Sequence, residues 1–235
     1  MPNPIFVALD TQDLTAATDL AKKLSGSVGG IKLGLEFFSA NGPDGVREIA
    51  KTGVPVFLDL KFHDIPNTVA GAVRAAMSVG PSILNVHAAG GEAMMKAAAE
   101  ALDEATTATD CERPLLIAVT VLTSLDQSDL VTVGQSGTPE EQVVRLARLT
   151  QASGLDGVVC SPREIGAIRD ACGADFKLIV PGIRPEGSDT GDQKRTLTPK
   201  QAIDAGADYL VIGRPITAAS DPAVAAKAIA ASITP

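Results

Sequence analysis

Eight short runs of β-branched and aliphatic residues punctuate the chain, each followed by a longer stretch of helical character. They are Ile5 to Leu9, Gly30 to Leu33, Val54 to Leu60, Ile83 to His87, Leu115 to Leu122, Gly157 to Cys160, Lys177 to Val180 and Tyr209 to Ile212. Nearly continuous apolar runs bounded by Gly or Pro are how strands covered on both faces read, and such strands belong to parallel sheets flanked by helices. Four helices announce their own starts. Thr138-Pro139, Ser161-Pro162, Thr198-Pro199 and Asp221-Pro222 each set a capping oxygen before a proline suited to the first helical position. The alanine-rich stretches 97–101 and 223–231 suit helices packed closely on a sheet, and Gly173 and Gly206 fall where helices should end. Eight such β-then-α units in 235 residues predict a single-domain (β/α)8 TIM barrel over residues 1–235. An open, doubly wound sheet competes with it, and the absence of a Gly-x-Gly-x-x-Gly turn favours closure.

Hydrophobic residues make up 45% of the chain and charged residues 20%, ample material for one large core. A formal net charge of −8 offers no attraction to a nucleic-acid backbone or an anionic bilayer, so any anionic ligand must be held by local cations. With no Trp and Tyr209 as the only Tyr, the chain also lacks an aromatic platform for stacking single-stranded nucleic acid. Cys111, Cys160 and Cys172 are odd in number and lack metal-type or redox-type spacing, which fits a reducing compartment. The opening Met1-Pro2-Asn3-Pro4 has no basic flank and no apolar run approaches membrane-spanning length, so a cytoplasmic protein is expected.

Charges then appear where a barrel interior should have none. Residues two apart on a strand share a face, so in Val56-Phe57-Leu58-Asp59-Leu60-Lys61 the set Phe57, Asp59 and Lys61 points to one side. The same alternation turns Lys32, between Ile31 and Leu33, inward, while Asp10 ends the first strand. Four charges of alternating sign thus converge at neighbouring strand ends, on the face where barrels build active sites. Burying such groups costs several kcal/mol each unless they are paired. A structural ion-pair network is the bland account; a catalytic site is favoured because both lysines lie at the functional end. Asp64 extends the pattern to Asp-x-Lys-x-x-Asp, although a solvated Asp capping the next helix would look the same. Arg214 follows Gly213 after the eighth strand, where barrels commonly bind phosphate, and its charged fork suits that ligand. The polar segment Pro185 to Thr196 reads as a strand-to-helix loop, either a lid able to close over the site or a merely solvated connection, with the lid favoured. His63 is expected to face away from Lys61 if the third strand persists that far, and His87 to be a hydrogen-bonded core residue; neither is assigned as a general base.

The string Asp59-Leu60-Lys61-Phe62-His63-Asp64-Ile65-Pro66-Asn67-Thr68-Val69 resembles the signature of the orotidine 5′-phosphate decarboxylase family. The resemblance continues at Val7-Ala8-Leu9-Asp10, Ile31-Lys32-Leu33-Gly34 and Val121-Leu122-Thr123-Ser124. It is carried further by Val180-Pro181-Gly182-Ile183-Arg184-Pro185 and Val211-Ile212-Gly213-Arg214-Pro215-Ile216, so that it spans essentially the whole chain in order.

The resemblance implies conversion of orotidine 5′-monophosphate to uridine 5′-monophosphate and CO₂ in pyrimidine biosynthesis, with no cofactor and no metal. Lys61 would deliver a proton to C6 of the pyrimidine, Asp59 would lie beside the departing carboxylate, and Lys32 and Asp10 would hold the ribose. Thr123 would bond the pyrimidine edge, Gln193 would bridge phosphate and base, and Arg184, Gly213 and Arg214 would complete the binding site. The family is dimeric, which implies a homodimer in which Asp64 and Thr68 reach into the partner's site. Two rivals remain at this point: a metal-dependent sugar-phosphate decarboxylase or aldolase sharing Asp-x-Lys-x-x-Asp, and a barrel that senses a phosphate ligand without turning it over.

Overall fold

Eight parallel strands in sequence order close into a barrel in the computed structural model, which describes residues 3–185 and 196–233. The first half runs β1 (Ile5–Leu9), α1 (Leu14–Leu24), β2 (Gly30–Gly34), α2 (Leu35–Ala50), β3 (Val56–Phe62), α3 (Pro66–Met77), β4 (Ile83–His87) and α4 (Glu92–Thr109). The second half runs β5 (Leu115–Val119), α5 (Gln127–Thr132), α6 (Pro139–Ala152), β6 (Gly157–Val159), α7 (Ile165–Cys172), β7 (Lys177–Val180), α8 (Pro199–Asp204), β8 (Tyr209–Ile212), α9 (Arg214–Thr217) and α10 (Pro222–Ile233). Closure is made by β1 on β8, in the register Ile5↔Leu210, Phe6↔Val211 and Val7↔Ile212. The predicted (β/α)8 barrel is the observed fold.

Strand alternation divides the apolar residues into two cores. Val7, Ile31, Leu33, Leu58, Leu84 and Ile212 face the helices in the large outer core. Phe6, Ala8, Phe57, Ile83, Ile117 and Val211 belong to the smaller cluster that fills the barrel. Inside, Phe6 meets Phe57 and Tyr209 edge to face, with ring centroids 6.3 and 5.6 Å apart. Gly30 makes room for that packing, since a Cβ there would stand 2.2 Å from the Phe6 ring.

Three of the four predicted caps behave as the sequence announces. Thr138 and Thr198 form capping boxes with Glu141 and Gln201, and Asp221 accepts from the backbone N–H groups of Ala223 and Val224. Ser161 opens a single 3₁₀ turn ahead of α7 rather than α7 itself. Strand limits differ in two informative places. β3 starts at Val56, not Val54, and runs on to Phe62 through an irregular pairing with β4. β5 stops at Val119, not Leu122, because Thr120 turns its N–H and its hydroxyl onto the Val159 carbonyl and the chain bends away. No helix among the described residues is long and apolar enough to cross a membrane.

Candidate active site

The inward row of β3 carries Phe57 on the barrel floor, then Asp59 and Lys61 at the mouth, while β2 brings Lys32 alongside. Ile31 and Leu33 are held in the outer core, which is what forces Lys32 inward. The side chains meet. Asp59 Oδ1 lies 2.7 Å from Lys61 Nζ and Asp59 Oδ2 lies 3.3 Å from Lys32 Nζ. Lys32 Nζ is also 3.4 Å from Asp10 Oδ1, which places Asp10 at the exposed end of the row. Lys32, Asp59 and Lys61 border a cavity of about 180 Å³ lined also by Phe57, Thr123, Cys160 and Val211.

Asp59 is buried, with 7% of its surface exposed. Burial alone would push its carboxyl up, but the Lys32 and Lys61 charges and the hydrogen bonds from Lys61 and Asn85 outweigh it and hold it below the usual carboxylate range. The site therefore keeps a fixed negative charge between two ammonium groups in a partly apolar cavity. Such an arrangement can repel an anionic substituent at one point and attract charge developing at the next.

Asn85 is a member of this cluster that charge patterning alone does not reveal. It is fully buried on β4, donates from Nδ2 to Asp59 Oδ1 at 2.6 Å and accepts from the Lys61 N–H at 2.8 Å. A signal was available: Ile83 faces the barrel interior, so alternation turns Asn85 and His87 the same way. His87 is half-buried; burial lowers its pKa, and the neighbouring His63 and Lys61 charges lower it further against the opposing effect of Asp59. β3 ends at Phe62, so the strand alternation that would turn His63 away from Lys61 does not reach it. Its exposed ring instead stands 5.5 Å from that of His87. Neither histidine lines the cavity.

The other predicted residues are spread over several elements. Thr123 lines the cavity, on the turn that follows β5. Arg184 is half-buried beyond β7, where its Nη1 donates to the Ile183 carbonyl, and Arg214 is exposed at the start of α9 directly after Gly213. A Cβ at Gly213 would make only ordinary contact with Ala8, at 3.7 Å, so packing among the described residues gives no reason for glycine there. Asp64 and Thr68 are exposed at the entry to α3, outside the cavity of their own chain. Asp64 accepts from the Ile65 N–H at 2.7 Å and does not cap α3, whose N-cap is Ile65. Asp64 borders instead a surface hollow shared with His63, Ile65, Pro66 and Gly90. Gln193 and the segment 186–195 lie outside the described residues.

This geometry has relatives. The Orotidine 5′-phosphate decarboxylase / HUMPS family matches residues 3–229. A protein of Rhodospirillum rubrum named orotidine 5′-phosphate decarboxylase is 58% identical over 232 residues, covering 98% of this chain and 94% of its own. One of the same name from Moorella thermoacetica is 58% identical over 230 residues, 97% of this chain and 91% of its own. Among solved structures, the orotidine 5′-phosphate decarboxylase of Lactobacillus acidophilus superposes with a TM-score of 0.88 at 37% identity, covering 99% of this chain and 100% of that one. With the match running from end to end of the barrel, the chain belongs to the Orotidine 5′-phosphate decarboxylase / HUMPS family.

Proposed function

We propose that this chain decarboxylates orotidine 5′-monophosphate to uridine 5′-monophosphate, without metal or organic cofactor, as a cytoplasmic enzyme of pyrimidine biosynthesis. The observation that carries the reading is the Asp59 carboxylate held between Lys32 and Lys61 at the mouth of the barrel, in a chain 58% identical to proteins of that name. In the reaction the bond from C6 to the substrate carboxylate breaks and its electron pair stays on C6, in the ring plane, where the π system cannot delocalise it. Lys61 stabilises that pair and then transfers a proton from Nζ to C6, leaving UMP and CO₂. Asp59 sets a negative charge beside the departing carboxylate and so favours its loss.

The remaining assignments follow the same substrate. Lys32 and Asp10 hold the ribose, Thr123 meets the pyrimidine edge, and Arg214, with Arg184 and Gly213 near it in function, holds the phosphate. Gln193 bridges phosphate and base from its loop. Phosphate contacts far from C6 supply binding energy that can be used at the reacting carbon. Asp64 and Thr68, exposed and outside their own chain's cavity, reach the site of the second subunit in a homodimer.

The test follows the absorbance of orotidine 5′-monophosphate on addition of EDTA-treated protein. Conversion at an undiminished rate is expected. Folded protein that converts nothing rejects the decarboxylase, and a strict requirement for added magnesium rejects the metal-free mechanism.

A further inference from the structure

The irregularity between β3 and β4 has one residue at its centre. Pairing runs Leu58↔Leu84 and then Phe62↔Val86, so three residues of β3, Asp59, Leu60 and Lys61, stand opposite the single residue Asn85. Within this bulge Lys61 has φ of 51°, a left-handed conformation uncommon for any residue that carries a Cβ. Such a conformation persists only where its surroundings over-determine it. The Asn85 side chain supplies that constraint: Oδ1 takes the Lys61 N–H at 2.8 Å, and Nδ2 donates to Asp59 Oδ1 at 2.6 Å. The same Asp59 oxygen accepts from Lys61 Nζ at 2.7 Å. A ring therefore closes from the Lys61 backbone through Asn85 and Asp59 to the Lys61 ammonium. The chemistry of the partners fixes the amide's orientation, because a backbone N–H only donates and an ionised carboxylate only accepts. Asn85 has no exposed surface, so water cannot take over either bond without rearrangement.

We propose that Asn85 is a positioning residue for decarboxylation, its amide clamping the Lys61 backbone in the left-handed bulge and orienting Asp59 so that the Lys61 ammonium is aimed at the reacting carbon. This rests on the reaction proposed above. The residue touches no substrate; it acts through the two groups that do. Leucine at this position would keep the bulk and lose both bonds. Aspartate would keep an acceptor for the Lys61 N–H and lose the donor to Asp59, setting a second carboxyl against the first. Among the described residues, the charged and titratable groups facing Asp59 are Lys32 from β2, Lys61 on β3 itself and His87 from β4, with Asp10, just past β1, on the other side of Lys32, and neither substitution removes any of them.

The experiment compares wild type, Asn85→Leu and Asn85→Asp in three measurements: UMP binding by calorimetry, kcat and KM across pH, and the ¹³C titration of the Asp59 carboxyl. Both variants should bind UMP and keep KM within about threefold while kcat falls about 100-fold, the usual result of misplacing a reacting group by an ångström. In Asn85→Leu the ionised carboxylate has lost a donor, so the Asp59 titration and the acid limb of kcat should both move to higher pH. A folded Asn85 variant with wild-type kcat overturns the proposal, as does a loss confined to KM with the Asp59 titration unmoved. Should Asn85→Leu fail to fold, the shape-preserving Asn85→Asp still carries the kcat test. The carboxyl titration needs no turnover, so it separates the two readings. Wild type that leaves orotidine 5′-monophosphate untouched rejects the reaction, whereas active wild type with an Asp59 titration indifferent to Asn85 rejects the clamp.

Discussion

Lys61 Nζ reaches Asp59 Oδ1 at 2.7 Å across a single intervening residue, and the same carboxylate lies 3.3 Å from Lys32. Asp59 is thus shared between two ammonium groups that play different parts in the proposed reaction. Removing Lys61 takes away the proton donor but leaves Asp59 paired with Lys32, so the site should stay folded. Lys61→Ala is expected to lower kcat on the order of 1000-fold or more, within or beyond the span of general acid catalysis, while UMP binding stays measurable. Stopped-flow absorbance with parallel calorimetry checks both halves. Decarboxylation near the wild-type rate would remove Lys61 from the mechanism.

Arg214 stands at the start of α9, immediately beyond β8, with its side chain exposed. A charged fork in that position can hold a phosphate by hydrogen bonds worth about 1.5–3 kcal/mol. Arg214→Ala should therefore weaken UMP by about 10- to 100-fold and leave uridine nearly unchanged. Equal losses for nucleotide and nucleoside, measured in one titration series, would contradict the phosphate assignment.

Asp64 and Thr68 are exposed and lie apart from the cavity of their own chain, and the proposed homodimer can be tested by mixing. Lys61→Ala and Asp64→Ala each disable a site, but a heterodimer of the two has one site with Lys61 from one subunit and Asp64 from the other, both intact. Random exchange makes half the dimers mixed, so activity should recover to about one quarter of wild type, as an isologous two-fold interface requires. Mixed samples that show only the sum of the two parent activities after verified subunit exchange would place Asp64 outside the partner's site.

The barrel was legible because its signals are local and redundant: apolar runs mark the strands, and Thr138-Pro139 or Thr198-Pro199 marks a helix start whatever lies elsewhere in the chain. The convergence of Asp10, Lys32, Asp59 and Lys61 was legible too, since alternation alone turns the last three inward. Asn85 was not singled out, because an uncharged amide in a strand is weak evidence until its neighbour across the ladder is known. The bulge at Lys61 was also hidden: it arises from how β3 registers on β4, a relationship between segments rather than a property of either. The end of β5 is hidden for a related reason. Val121 is apolar and buried, yet it belongs to the turn after the strand, so its composition reported burial and not conformation.

At the opposite end of the barrel from the cavity, Arg169 on α7 donates to the carbonyls of Gly206 and Phe176 and to the Asp208 carboxylate. Asp208 in turn accepts from the Leu178 N–H at 2.8 Å, which ties the entries of β7 and β8 to one guanidinium. The pair is mostly enclosed, with side chains 18% and 21% exposed. Arg169→Leu removes the donors, leaving Asp208 with Lys177 at 3.4 Å and the Leu178 N–H, and leaving the carbonyls of Gly173, Ala174, Phe176 and Gly206 to find water. Loss of one partner from a fully buried pair costs about 3–5 kcal/mol, and the residual exposure here should reduce that to about 2–3 kcal/mol. Urea unfolding should show a lower midpoint at unchanged slope, while kcat and KM stay at wild-type values because the affected residues lie a full strand length from the Asp59 cluster. An unchanged midpoint would mean that these bonds are replaced by solvent at no cost, and a change in kcat would mean that the two ends of the barrel are coupled.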